Sequence, residues 1–481
     1  MICSERVCHL MTNESSNRKL ETRGIDYIPD EERNSKPSNI FFAIVGSVFS
    51  YSVIIIGTLP VVFGLDWWGA FWSIIMGVLI GSIIVSPVAL IGQKTGTNSI
   101  VSSGAHFGIK GRIIGSLLTI FVALGFYTLS ILTGAQSIVY SSHRLLGSSQ
   151  GNGTLFLCAL IIIALTGIVA TYGHSVVVII ERIGVWILGA ILLLSVFVFY
   201  PQFDVSYQGG NYLLGGYWST WLLSATVGLS LPISLVPYIN DYARYVPRKY
   251  NARTMLLATG GGMFLGFSIS LIIGAYLMTI LSSAETPFIQ GIIEASPMAF
   301  VLPLTFIGIV GGLTQGSFAL YGGGLGLETL SSNLSRIATT TIINIVSLVL
   351  IFLAIFIYDL TDLINAFVTI IIVGISPWLS IFLIGYYKCR GEYDAFALHQ
   401  EGHGQYWFVK GFNIQAVTIW VVSMIIGLLF TNTSIFIGPF ADVMKGVDVS
   451  FISSLIVSAI LFAVFSNDSV KMDNSYKESI K

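Results

Sequence analysis

The apolar residues of this chain come in continuous blocks about as long as a bilayer is thick, and its charges fall between the blocks. A helix needs about 20 apolar residues to cross the hydrocarbon layer. Twelve blocks meet that length, near residues 39–62, 70–92, 112–141, 154–173, 182–200, 218–239, 254–281, 299–326, 337–358, 361–386, 413–431 and 449–466. They lack the alternation of transmembrane barrel strands, so each reads as a helix. Composition agrees: of 481 residues, 54% are hydrophobic and only 10% charged, with a mean hydropathy of +0.83. Soluble domains carry roughly 25% charged residues. The expected fold class is an all-α polytopic membrane protein with twelve transmembrane helices.

Orientation follows from the gaps. With the N-terminus placed inside, every one of the 23 Lys and Arg except Arg144 and Lys445 falls on the inner side. Such a bias marks the cytoplasmic face, so both termini are expected in the cytoplasm, in a multi-pass protein of the plasma membrane. Residues 1–36 hold no apolar centre, unlike a secretory signal peptide. They are expected to form a disordered cytoplasmic tail, as is the segment 467–481. Cys3, Cys8, Cys158 and Cys389 have neither metal-binding spacing nor a disulfide framework.

Two spans carry signs of a broken helix. Span 1 contains "AIVGSVFSYS", which puts Gly46, Ser47, Phe49 and Ser50 inside the bilayer. Span 6 contains "SATVGLSLPISLVP", with Gly228, Ser230, Pro232 and Pro237. Proline removes a helix hydrogen bond and clashes with the preceding turn. Opened backbone is tolerated at membrane depth only where it is buried or lines a cavity. Breaks five helices apart point to two inverted five-helix repeats with the substrate between them. The first repeat is then 37–200 and the second 201–390, with two peripheral helices in 391–466. "GVLIG" at 77–81 and "GGMFLG" at 261–266 read as packing faces.

At the inner end of span 6 stands "NDYARYVPRK". Its Arg, Lys and Tyr suit a headgroup anchor. Asp241 and Arg244, spaced i, i+3, also suit an ion pair that locks an inner gate. Other chemistry finds no support. "HQEGH" at 399–403 lacks a helical pattern and a third ligand, so it reads as a solvated loop rather than a metal site. "YGGGLGLE" lies within a span, not after a strand, and is no nucleotide loop. No acidic residue falls deep in a span, so no proton relay is expected. No paired acids or nucleophile–base set suggests an intramembrane enzyme, and no charge ring suggests a channel.

"ETRGIDYIPDEERNSKPSN", "GLDWW", "GTNSIVSSGAHFGIKG", "ERIGVW" and "PYINDYARYVP" follow one another along nearly the whole chain. Together they resemble the purine–cytosine permease branch of the nucleobase:cation symporter-1 family. The resemblance implies substrate binding between broken helices 1 and 6 and helices 3 and 8. Residue by residue, it puts a base-stacking aromatic at Phe126 and a polar position at Ser130 one turn on. On helix 8 it puts a cation-binding hydroxyl at Thr314, then substrate-facing polar residues at Gln315 and Ser317. Ser50 on helix 1 and Ser230 on helix 6 complete the substrate set. Backbone carbonyls near the helix 1 break, at Gly46 and Phe49, would hold the coupling ion, sodium or proton. Phe126 stands where relatives carry Trp, and Ala319 where several carry Asn; near Leu231 and Pro232 relatives often have an aromatic or Gln. Phe126 also has a plain reading as one of 31 phenylalanines that pack the helices. The implied activity is import of a small neutral nitrogen heterocycle, a purine or pyrimidine nucleobase such as cytosine, by cation symport with alternating access. Hydantoin, allantoin or a thiamine-like compound are alternative substrates, and a non-transporting nutrient sensor is an alternative role. No enzymatic activity, cofactor, metal or nucleic-acid partner is expected, and the transporter is expected to act as a monomer.

Overall fold

The computed structural model describes residues 23–281, 286–331, 333–357, 360–432, 436–444 and 446–466, with backbone only for 360–372 and 444. Glu285, Asp359, Lys445 and the tail from Asn467 lie outside the described residues. Helix α1 (Pro37–Val48) begins on a proline, whose missing N–H costs nothing in a first turn. It ends at Phe49 and Ser50, whose backbones leave helical space (φ −80°, ψ 68° and φ −144°, ψ 156°). The chain resumes as α2 (Tyr51–Ile56), and the path from Tyr51 to Val62 is bent by 68° from α1. The expected break in span 1 is therefore present, two residues wide and at membrane depth.

After it come α3 (Trp67–Val85), α4 (Val88–Thr95), α5 (Ser99–Phe107), α6 (Ile113–Leu146), α7 (Asn152–Tyr172) and α8 (His174–Phe199). The second half holds α9 (Tyr217–Ser234), α10 (Val236–Ala243), α11 (Ala252–Met278), α12 (Phe288–Ala295), α13 (Val301–Leu330) and α14 (Arg336–Phe356). It closes with α15 (Leu360–Lys388), α16 (Ile414–Leu429) and α17 (Ser450–Phe465). Asn98, Asn251, Ser335 and Asn413 cap α5, α11, α14 and α16, each accepting from the N–H three residues on. Among the described residues there are isolated β-bridges but no strands. Eight helices there are long and apolar enough to span a membrane, or nine if the bent pair α1–α2 is one span; α16 and α17 are shorter apolar helices.

Span 6 is interrupted between its two prolines, as expected, but without the bend of span 1. Its helix runs through Pro232 and is interrupted three residues later, at Leu235, where α10 starts with Pro237 in its first turn. The two pieces still qualify as one span. Helices α6 and α13 pack most extensively, and α1 packs against α8 and α11. Outer helices invert the usual burial rule. Leu157, Ile161, Leu165 and Ile168 recur at helical spacing along α7 and are exposed, a face that lipid covers.

The N-terminal segment is also a correction. Residues 23–36 are not a disordered tail but are packed onto the bundle end. Ile28 is fully buried. Buried Arg33 donates from Nε to the Ile28 carbonyl (2.9 Å) and from Nη1 to the Gln93 carbonyl (2.8 Å) at the end of α4. Gln93 in turn donates to the Pro247 and Tyr250 carbonyls beyond α10. Polar composition hid this order, because the bonds go to backbone carbonyls that any sequence supplies.

Candidate functional site

The break in span 1 is held open by helix α13. Gly311 makes this approach possible: a Cβ there would lie 2.9 Å from the Phe49 carbonyl oxygen and 2.9 Å from Ser50 Cα. One turn on, Gln315 Oε1 accepts hydrogen bonds from Ser50 Oγ (2.7 Å) and Ser52 Oγ. The two serine hydroxyls are 2.9 Å apart. Ser270 of α11 donates to the Val48 carbonyl (2.8 Å), and Tyr51 donates to the Leu304 carbonyl (3.0 Å). Thus the freed backbone groups and hydroxyls of the break find fixed partners on two neighbouring helices.

A cavity opens beside this brace. Its volume is about 20 Å³, room for little more than one water molecule. Small-molecule sites span roughly 300–1,000 Å³, so in this conformation the cavity is too small for a substrate and the helices around it must part to admit one. Phe126 of α6, Tyr238 of α10, and Gln315, Phe318 and Ala319 of α13 line it, with no charged side chain. Phe126 is 8% exposed. Phe318 stacks on Tyr242 (5.0 Å between centroids, 8° between planes) and meets Tyr238 edge-on. Aromatic rings and one amide thus line a cavity without a charged side chain.

The residues singled out from the sequence separate into two groups. Phe126 and Gln315 line the cavity, and Ser50 is bonded to Gln315. Ser130, Ser230 and Ser317 do not line it; their hydroxyls donate back to the carbonyls of Tyr127, Val227 and Thr314. Serines in helices take such i−3 bonds readily. Tyr238, Phe267 and Phe318 are cavity residues that spacing alone did not single out. For the ion set, Phe49 touches the Gly311 position, and Thr314 Oγ1 donates to the Gly311 carbonyl (3.2 Å). Gly46 packs against Glu181 of α8.

Glu181 overturns the expectation that no acid lies deep in a span. The helix carrying it starts at His174, well before the expected edge, so Glu181 lies two turns inside and is 0% exposed. "HQEGH" needs a milder correction. Gln400, Glu401, Gly402 and His403 are exposed as expected, but His399 is partly buried beside Arg112; burial first, and then the Arg112 charge, lower its pKa to about 4.

At the bundle end, Asp241 and Arg244 are both buried, so neither is a headgroup anchor. Arg244 Nη1 donates to the Gly24 carbonyl (2.6 Å) and Nη2 to the Tyr321 hydroxyl (3.2 Å). Its guanidinium also lies over the Tyr245 ring at 5.0 Å. Asp241 Oδ2 faces α13 at Gly322. Arg244 therefore ties the end of span 6 to α13 and to the N-terminal segment at one point.

Comparison with known proteins agrees with this architecture. The family described as "Permease for cytosine/purines, uracil, thiamine, allantoin" matches residues 27–452. A Bacillus subtilis (strain 168) protein whose provisional name is purine-cytosine permease YxlA is 26% identical over 471 residues, covering 96% of this chain and 99% of that protein. Purine-cytosine permease FCY2 of Saccharomyces cerevisiae is 22% identical over 263 residues, covering 53% of this chain and 47% of that protein. Among solved structures, Mhp1, a nucleobase-cation-symport-1 family transporter closed on bromovinylhydantoin, superposes with a TM-score of 0.74 at 17% identity, covering 94% of this chain and 99% of Mhp1. Its inward-facing form gives 0.72 at 20% identity, covering 94% of each chain. The chain belongs to the cytosine–purine permease branch of the nucleobase:cation symporter-1 family, a family of multi-pass membrane transporters and not of enzymes.

Proposed function

We propose that this chain imports a small neutral nitrogen heterocycle, a nucleobase such as cytosine or a purine, by cation symport with alternating access. The carrying observation is the uncharged cavity in which Phe126 and Gln315 meet beside the helix 1 break. A charged substrate entering such a pocket would lose its hydration without a counter-charge. A flat neutral base keeps its stacking energy, about 1–3 kcal/mol per base, and pairs its edge with the amide.

In this reading the chain has twelve membrane helices, built as two inverted five-helix repeats plus two peripheral helices. It sits in the plasma membrane as a monomer, with both termini in the cytoplasm. Substrate binds between Phe126 and Phe318, with Gln315 on its edge. Ser50 positions Gln315 rather than touching substrate. The coupling ion, sodium or a proton, binds at Gly46, Phe49 and Thr314. Arg244, with Asp241 beside it, closes the inner gate, because it joins span 6, α13 and the N-terminal segment.

The test is uptake of labelled cytosine, hypoxanthine, uracil, hydantoin and allantoin into proteoliposomes, with sodium or proton gradients imposed separately. Accumulation of a nucleobase above equilibrium under one gradient is expected. Binding without accumulation would mark a sensor instead, and no binding of any nucleobase would overturn the substrate assignment.

A further inference from the structure

Glu181 is a buried acid with no use in the scheme so far. Neither of its carboxylate oxygens has a hydrogen-bond partner, although most buried polar groups in native proteins do. The carboxylate points at span 1. A methyl added to Gly46 would collide with Oε2 and come within 2.6 Å of the Glu181 carbonyl oxygen. Only glycine admits the acid at this place.

What it meets there is the C-terminal end of α1. The last carbonyls of a helix have no partner in the helix and carry the negative end of its dipole. At this end Phe49 N–H serves Val45, and Ser270 serves Val48. Gly46 and Ser47 lie between them. Three residues along from Glu181, α8 passes so close at Gly184 that a methyl there would lie 2.6 Å from Thr314 Cγ2. Helix α8 thus lies against two members of the ion set, Gly46 and Thr314. A carboxylate facing a helix C-terminus away from water is repelled by it, unless a positive charge sits between. The neighbouring basic residue does not supply that charge: Arg182 is bonded to Asn39 and lies over the Phe42 ring.

We infer that Glu181 is the charged ligand of the coupling-ion site, and that this site takes a hard monovalent metal cation held by the carboxylate and by α1 carbonyls. Oxygen donors of this kind suit hard cations. The inference rests on the symport reading and adds to it a ligand on α8.

The full chain in detergent is melted at constant ionic strength while choline is exchanged for sodium. A ligand that binds only the folded state raises Tm in a saturable way. The wild type is expected to show that rise, and Glu181→Gln to weaken apparent sodium affinity at least about tenfold. In parallel, the wild type is treated with a hydrophobic carbodiimide and Glu181 modification is read by mass spectrometry, which requires no variant to fold. Sodium is expected to protect Glu181. A sodium-independent Tm, an equal response in Glu181→Gln, or modification of Glu181 indifferent to sodium would each overturn the inference. Nucleobase binding is measured on the same preparation, so failure of the substrate reading shows up separately, with sodium protection intact.

Discussion

Replacing Gln315 separates two jobs that one amide performs. Its oxygen braces the helix 1 break by accepting from Ser50 and Ser52, and its amide group is available to the cavity. In Gln315→Ala both hydroxyls lose their acceptor. They lie 2.9 Å apart, so one can donate to the other and a single buried donor stays unpaired. That costs about 1–3 kcal/mol, felt as a lower melting temperature. Substrate loses a further hydrogen bond of about 1 kcal/mol, and the slackened break adds to the loss, so binding should weaken about tenfold or more. Gln315→Glu distinguishes the roles. Its carboxylate still accepts from both serines but offers no N–H to a base edge. The brace keeps its acceptor, but a carboxylate buried in a cavity without a counter-charge lowers the melting temperature on its own account, and nucleobase affinity should fall. Scintillation-proximity binding of labelled base on purified protein, read beside a melting curve, measures both. If Gln315→Glu binds as tightly as wild type, the amide does not contact substrate. If Gln315→Ala changes neither readout, the brace carries no weight either.

Three other perturbations follow from the same geometry. Phe126→Ala should lose most binding, since stacking is worth about 1–3 kcal/mol, whereas Phe126→Trp should retain it; equal binding by Phe126→Leu would make the ring a packing residue. Arg244→Lys should depress uptake while sparing equilibrium binding, because one ammonium cannot reach both the Gly24 carbonyl and the Tyr321 hydroxyl as a fork does; normal uptake at equal abundance would remove Arg244 from the gate. His106 and His399 are both held to a pKa of about 4 by burial, His399 also by the charge of Arg112. Their folded pKa lies below the unfolded value, so the unfolded chain binds protons first. Stability should be full above about pH 6.5 and decline as pH falls toward 4. His399→Gln should flatten part of that decline, and an unchanged pH profile would argue against it.

Eight of the spans, or nine with the bent first one, could be read from the sequence and are present among the described residues, because length and hydrophobicity are additive along a chain and a block of about 20 apolar residues admits few alternatives. The break in span 1 was legible for a local reason: glycine and serines crowd one turn at membrane depth. Span 6 shows the limit of that logic. The helix runs through Pro232 and yields only at Leu235, just before Pro237, whose missing N–H cannot continue the ladder and which opens the next helix instead. The serines fail for a related reason. Ser130, Ser230 and Ser317 stand on the helices the resemblance indicated, but a carbonyl three residues back satisfies each hydroxyl before any ligand arrives. Serine content therefore marks candidate helices and not contacts; Ser50 differs because its own backbone is extended and its hydroxyl reaches Gln315 on another helix. Glu181 was hidden most completely. Beside Arg182 it reads as the charged edge of a span. What buries it is the absence of a side chain at Gly46, on a helix distant in sequence. A glycine whose function is to make room for an acid leaves no pattern in either segment alone, so pairing the two requires the fold.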